Sequence, residues 1–322
     1  MVILWRWLKV HNQHLLASIL LFTTQMKGSL CMIAPRIIDS HLHVWASTDE
    51  AATAFPYAPD NNPPASLQNK ASIGYLLELM QLSGVQGALI VQPIHHKFDH
   101  SYVIQAVKQY PTVFKGMLLH DPSLSKDDAV SRLDDLALQG FQAVRFNPYL
   151  WPTGVTMYST EAGRAVYQRC AQLSMPVGIM CFHGLDLHYT DILELMEYSP
   201  ETNLILDHFG FTGFNSQGNV NFDTLLSLAK YPNVHVKISA LFRLNDTFPF
   251  ERVRQERFMP LLQAFGKDRL MFGTDFPYVL NATSYESMVE LVSSWMETEE
   301  IRNSIMCGTA EKLFGQWGKS HT

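Results

Sequence analysis

From Arg36 onward the chain alternates short, almost wholly apolar runs with longer segments of helical period. Eight runs stand out: "RIIDSHLHV", "GALIVQP", "KGMLLHDP", "QAVRFN", "VGIMCFH", "NLILDHFG", "VHVKISALFR" and "LMFGTDFP". Their continuous Val, Ile, Leu and Phe content is that of strands covered on both faces, as in a parallel sheet. Between them lie segments such as "SIGYLLELMQLSG", "KDDAVSRLDDLALQG", "AGRAVYQRCAQLS" and "FDTLLSLAKYP", with apolar positions at helical spacing. Strand and helix at this regular beat predict an α/β fold with a parallel sheet. Eight such units in roughly 285 residues fit a single-domain (β/α)8 TIM barrel over residues 36–322, with residues 1–35 as an N-terminal extension. The stretch Ala46 to Lys70, rich in Pro, Asn and Ala, is then a long loop after the first strand.

Each apolar run finishes in polar or reactive residues: His41 and His43; Gln92; His120 and Asp121; Arg145 and Asn147; His183; Asp207 and His208; Ser239 and Arg243; Thr274 and Asp275. In a barrel these ends meet on one face, the face where such folds place their chemistry. Strand alternation puts Asp39, His41 and His43 on a common side, so the His-x-His pair aims two imidazoles into one space. That suits two ligands of one metal, two partners of one substrate, or a pair of hydrogen-bonded structural histidines. Asp275, between Gly273 and Pro277, projects a carboxylate that must be paired, metal-bound or protonated. It reads as a metal ligand, as a general base, or as a cap of the next helix. His183 and His208 end apolar strands, and His188 competes with His183 for a place in the site. Arg145 and Arg243 leave apolar strands at the same end, which suits them to bind a carboxylate or oxyanion or to pair with Asp207. Tyr149 and Trp151 either wall the pocket or pack the loop Pro148 to Thr160, and the adjacent His95 and His96 point apart.

Composition narrows the partner. Hydrophobic residues at 47% and charged residues at 17% describe a packed globular chain, and a net charge of -6 without a basic block removes the electrostatic footprint of nucleic-acid binding. A small molecule is the expected partner, and the outer helices of a barrel offer surfaces for a homodimer. Cys31, Cys170, Cys181 and Cys307 lack metal-site or disulfide-scaffold spacing and read as reduced thiols. No Walker loop, dinucleotide fingerprint or serine-hydrolase elbow occurs, which leaves His, Asp and Arg to do the chemistry. Residues 1–35 carry Arg6, Lys9 and Lys27 but no acidic residue, and their apolar run Leu15 to Phe22 is too short to span a bilayer. They are either a targeting peptide or an upstream extension, so the location is cytoplasmic in one case and organellar or secreted in the other. The sequons at Asn245 and Asn281 matter only in the secreted case.

"IIDSHLHVW", "VRFN", "LDHFG", "VKISALFR", "DRLMFGTDFP" and "GTAEKLF", in that order over residues 36 to 316, resemble the amidohydrolase-related family of the amidohydrolase superfamily. The nearest likeness is to its branch of 2-pyrone-4,6-dicarboxylate lactonases and sugar lactonases. The resemblance implies a hydrolase that opens a lactone or similar cyclic ester of a carboxylated or polyhydroxylated substrate. A zinc-dependent non-oxidative decarboxylase and a non-catalytic binding barrel are the alternatives. In the zinc-dependent pattern His41, His43, His183 and Asp275 correspond to ligands of one divalent metal, with His208 as the proton-transfer residue. In the metal-free lactonase pattern Asp275 activates water, the histidines polarise the carbonyl, and Arg145 and Arg243, with Tyr149, hold the substrate. The fourth strand, "FQAVRFN", lacks the lysine of binuclear members, which disfavours a two-metal centre.

Overall fold

Eight strands run in chain order around one sheet: β1 (Ile38–Leu42), β2 (Gly87–Val91), β3 (Phe114–Leu119), β4 (Phe141–Phe146), β5 (Val177–Ile179), β6 (Leu204–Leu206), β7 (Val234–Ile238) and β8 (Leu270–Phe272). The computed structural model describes residues 36–318, and the extension expected over residues 1–35 lies outside them. Every neighbouring pair is parallel. The circle closes through the ends of the first and last strands, where Asp275 N–H donates to His41 C=O at 2.8 Å and His43 N–H to Phe276 C=O at 2.7 Å. The (β/α)8 expectation is met.

Period-2 alternation divides the strand residues between two cores. Leu89, Val91, Met117, Ala143, Ile205 and Met271 fill the barrel interior. Their neighbours Ala88, Ile90, Leu118, Val144, Leu206 and Phe272 belong to the larger core beneath the helices. The interior core continues into Leu313, Phe314 and Trp317 at the chain's C-terminal end. Trp317 lies flat on β2: a Cβ at Gly87 would stand 2.3 Å from its ring, so only glycine fits there. This plug seals the N-terminal end of the barrel, leaving the polar strand ends to form the open face.

Helix starts follow the sequence: Ser72, Ser125, Thr160, Asn215 and Ser284 each accept a backbone N–H from three residues on, satisfying a donor that the first turn leaves free. The loop expected over Ala46 to Lys70 is only partly irregular. It holds a helix over Thr48–Thr53, nucleated by a capping box in which Ser47 and Glu50 exchange hydrogen bonds.

Candidate active site

A bulge in β1 decides which of its side chains reach the site. Ile38 pairs with Gly87 and Asp39 with Ala88, but Leu42 pairs with Ile90, so three residues of β1 advance against two of β2. The extra residue inverts the alternation. The shared face expected for Asp39, His41 and His43 is therefore broken: the histidines face the barrel mouth, and Asp39 accepts from Tyr285 O–H of an outer helix at 3.0 Å and from Thr274 O–H at 2.6 Å. Burial pushes the Asp39 carboxyl up to about 6, against the hydrogen bonds from Thr274. Backbone strain admits two further groups. His208 (φ 53°) and Asp275 (φ 60°) adopt left-handed conformations, unusual outside glycine. A left-handed His208 directly after an inward Asp207 lets consecutive side chains face the same space, which a regular strand forbids.

Asp275 is the centre of the cluster. Its Oδ1 lies 3.4 Å from His43 Nε2 and 3.9 Å from both His41 Nε2 and His208 Nε2, and makes no aligned hydrogen bond. Its Oδ2 accepts from Arg243 Nε at 3.0 Å. Burial alone would raise this carboxyl, but His208, His43 and Arg243 outweigh it and hold it at about 2, ionised throughout the working range. His43 donates from Nδ1 to Val91 C=O at 2.8 Å, and His208 Nδ1 meets Ser239 Oγ at 2.8 Å. A Cβ at Gly273 would stand 2.8 Å from His41 Cβ, so the missing side chain at this position is what lets His41 sit beside Asp275.

Beneath this layer lies a buried ionic floor that contains the pairing of Arg145 with Asp207 offered by the sequence and adds Lys237, which the sequence did not flag. Lys237 Nζ stands 3.1 Å from His41 Nδ1 and 3.4 Å from Asp207 Oδ1, Asp207 Oδ1 is 3.1 Å from His41 Nδ1, and Arg145 pairs with Asp207 Oδ2 at 3.0 Å. Burial brings the ammonium down to about 8, with Arg145 adding to the effect and Asp207 opposing it. Burial pushes Asp207 up, yet Lys237 and Arg145 leave it net lowered, hence ionised. His41 is held well below its usual range by burial and by Lys237, so it is neutral and has one ring proton. Where that proton sits depends on the floor. If Nδ1 donates to Asp207, Nε2 offers a lone pair; if Nδ1 accepts from Lys237, Nε2 carries an N–H aimed at Asp275. The sequence signal for Lys237 was available: in "VHVKIS" it has the same parity as Ser239, which faces the site.

The structure separates the other expected residues. His183 is exposed on the turn after β5, its backbone N–H donating to Tyr149 O–H at 2.8 Å, and its ring is not among the donors that converge on Asp275. This placement has a simple cause, since β5 ends at Ile179 and the chain leaves the ladder before His183. His188 is no nearer: its Nε2 meets the same Tyr149 hydroxyl at 3.2 Å. Tyr149 thus serves the 183–188 loop rather than the pocket, and Trp151 packs against His120 and Phe146. Arg145 and Arg243 both reach the site but are already paired with Asp207 and Asp275. Tyr278, also missed, lines the pocket and is held by His95 Nε2 at 3.1 Å, whose Nδ1 donates to Asn61 C=O in the long loop at 2.8 Å. Together Gln92, Arg145, His208, Arg243, Asp275 and Tyr278 border a cavity of about 260 Å³ above Asp275.

Among the described residues, His41, His208 and Asp275 offer donor atoms within 4.8 Å of one another. His41 Nε2 and Asp275 Oδ1 are buried without hydrogen bonds, and Asp207 backs His41 as an outer carboxylate. This set fits a divalent cation with open positions. It differs from the expected ligands: His208 takes part, while His43 and His183 stand outside it. No helix among the described residues is long and apolar enough to cross a membrane.

Three comparisons bear on this arrangement. The 4-sulfomuconolactone hydrolase of Rhizobium radiobacter is 26% identical over 291 residues, covering 86% of this chain and 89% of its own length. An L-fucono-1,5-lactonase of Burkholderia ambifaria is 24% identical over 250 residues, covering 74% and 80% respectively. The crystal structure of an amidohydrolase from Burkholderia multivorans with bound zinc shares the fold at a TM-score of 0.69 and 20% identity, over 87% of this chain and 99% of that one. A family model described as Amidohydrolase matches residues 38–316, and with nearly the whole barrel inside that match the chain belongs to the amidohydrolase family.

Proposed function

We propose that the protein hydrolyses a lactone. The observation that carries this is Asp275 Oδ1: an ionised, buried carboxylate oxygen without an aligned hydrogen bond, at the base of the cavity and ringed by three imidazole Nε2 atoms. Such an oxygen suits a water molecule that must be oriented and deprotonated, and two relatives of this family bear lactone-hydrolase names. In the reaction a water held by Asp275 attacks the lactone carbonyl carbon. Its proton passes to the Asp275 and His43 pair, the ring C–O bond breaks, and the same proton is returned to the departing alkoxide. The product is a hydroxy acid whose carboxyl ionises, releasing one proton. Without a metal, Lys237 donates to Nδ1, His41 presents Nε2–H to the developing oxyanion, and the orphan Nε–H of Arg145 is a second donor. A divalent cation, zinc by the character of the donors, would instead be held by His208, Asp275 and the Nε2 lone pair of His41, whose proton would then lie on Nδ1 toward Asp207, and would supply Lewis-acid polarisation of the carbonyl.

The test is proton release in a pH-stat assay with lactones as substrates, with product mass as the second readout. Ring opening adds one water; the decarboxylase alternative releases carbon dioxide instead. Asp275→Asn should lower kcat by roughly 10³ or more while the protein stays folded, because the replacement keeps the shape but cannot take the proton. Full activity in that variant would end the proposal.

A further inference from the structure

A second cavity, of about 460 Å³, adjoins the catalytic one and shares Phe182, Phe211 and Arg243 with it. The proposed chemistry makes no use of it. One side is the start of the twelve-residue helix Ser216–Ser227, capped by Asn215, whose Oδ1 accepts from Gly218 N–H at 2.7 Å. The backbone N–H groups of Ser216 and Gln217 have no acceptor among the described residues, as befits the first turn of a helix.

Asn221, in the second turn of that helix, is an independent pointer to a ligand. It is 2% exposed and lines the same cavity. Its Oδ1 accepts from Asp186 N–H at 2.8 Å, which fixes the amide, while Nδ2 makes no hydrogen bond among the described residues. Buried amides normally find acceptors, so an unpaired one on a cavity wall marks the place of a bound acceptor. A Cβ at Gly184 would stand 2.9 Å from that nitrogen, and Gly184 has φ +135°, so space and backbone together keep the amide uncovered.

The helix start and the buried amide offer donors and no acceptor. Across the cavity Arg243 spends only Nε, on Asp275, and its terminal nitrogens are free of hydrogen bonds among the described residues. Donors arriving from several directions suit a tetrahedral oxyanion better than a planar carboxylate, and the helix N-terminus favours its charge. Asp186 opposes an anion here, but its Oδ2 is engaged by Gln217 Nε2 at 2.7 Å.

Resting on the lactonase reading, we propose that this cavity is a subsite for a phosphate ester carried on an arm of the lactone, held by the Ser216 and Gln217 N–H groups and by Asn221. The substrate then spans both cavities, with its ring above Asp275 and its phosphate at the helix start.

The experiment compares kcat/KM of the full-length protein on γ-butyrolactones bearing alkyl arms of graded length that end in phosphate, carboxylate or hydroxyl. At the best length the phosphate ester should exceed its hydroxyl counterpart by roughly tenfold to a hundredfold, through KM. Asn221→Asp keeps the oxygen that Asp186 N–H needs but turns the donor into a carboxylate, and should erase that preference. Ser216→Pro deletes one free N–H at a position where proline suits a helix, so it should lower the preference even if the first variant fails to fold. Inorganic phosphate, titrated calorimetrically into chelator-treated protein, should lose affinity by at least about tenfold in Asn221→Asp. Carboxylate or hydroxyl arms turned over as well as phosphate, or phosphate binding indifferent to Asn221, would overturn the subsite and leave lactone hydrolysis standing. No lactone opened at all would overturn the proposed function, and the phosphate titration then decides the cavity by itself.

Discussion

Replacing Lys237 with Met tests how the buried floor controls the catalytic layer. Methionine nearly matches the lysine stem and would rest against Met117, whose sulfur lies 3.8 Å from Nζ. Two stability effects oppose each other. The ammonium falls from 10.5 to about 8 even with Asp207 pulling it up, so burial and Arg145 together cost the charged form at least about 3 kcal/mol, a cost the variant escapes. Against this, Asp207 loses one of two cationic partners and retains Arg145 at 3.0 Å. Breaking a buried pair outright costs about 3–5 kcal/mol, so with Arg145 still in place the two effects nearly cancel and stability should change by less than about 2 kcal/mol. Catalysis has no such cancellation. Without Lys237 only Asp207 faces His41 Nδ1, the ring proton moves to Nδ1, and Nε2 loses its N–H. Loss of one oxyanion donor lowers kcat by roughly 10²–10³. Urea unfolding, kcat of chelator-treated enzyme and ¹⁵N shifts of His41 measure the three quantities separately. A kcat within threefold of wild type, or an Nε2 proton retained in Lys237→Met, would refute the reasoning.

Three further outcomes follow from the geometry. Gly273→Ala places a methyl 2.8 Å from His41 Cβ and 2.9 Å from its backbone nitrogen, so unfolding free energy should fall by about 1–3 kcal/mol in urea titration, with kcat reduced through the displaced imidazole. His183→Ala should retain kcat within a few fold while His208→Ala loses at least about 10²-fold; the reverse order would restore His183 as the site histidine. Asp39 makes its own pH window. Its carboxyl rises from 3.8 to about 6 on folding, so the protonated form stabilises the protein by about 3 kcal/mol below pH 3.8, and this contribution is lost as pH rises through 6. The stability difference between wild type and Asp39→Asn should therefore shift by that amount between pH 3.8 and 6 and stay flat above; a constant difference would count against a raised Asp39.

The architecture was legible because its signals are local and repeated. Eight apolar runs, their polar ends and the Ser, Thr and Asn helix caps follow from burial on two faces and from the free N–H groups of a first turn. His41, His43, His208 and Asp275 could be singled out on the same ground, as groups placed where strands end. What the sequence could not decide was phase and reach. The β1 bulge sends Asp39 outward and His41 inward, and the left-handed turns at His208 and Asp275 aim groups that strict alternation would turn away. His183 looked equivalent to His208, but β5 releases the chain three residues after Met175 and Pro176 have led into it, too early to hold that histidine at the mouth. Lys237 read as one charge in an apolar strand; its meaning depends on Asp207, Arg145 and His41, contributed by three other strands. Periodicity determined the barrel by itself, because each strand buries its own faces. The proton positions, ion pairs and orphan acceptors at its mouth exist only where separate strand ends come within a few ångströms of one another, which only the tertiary structure decided.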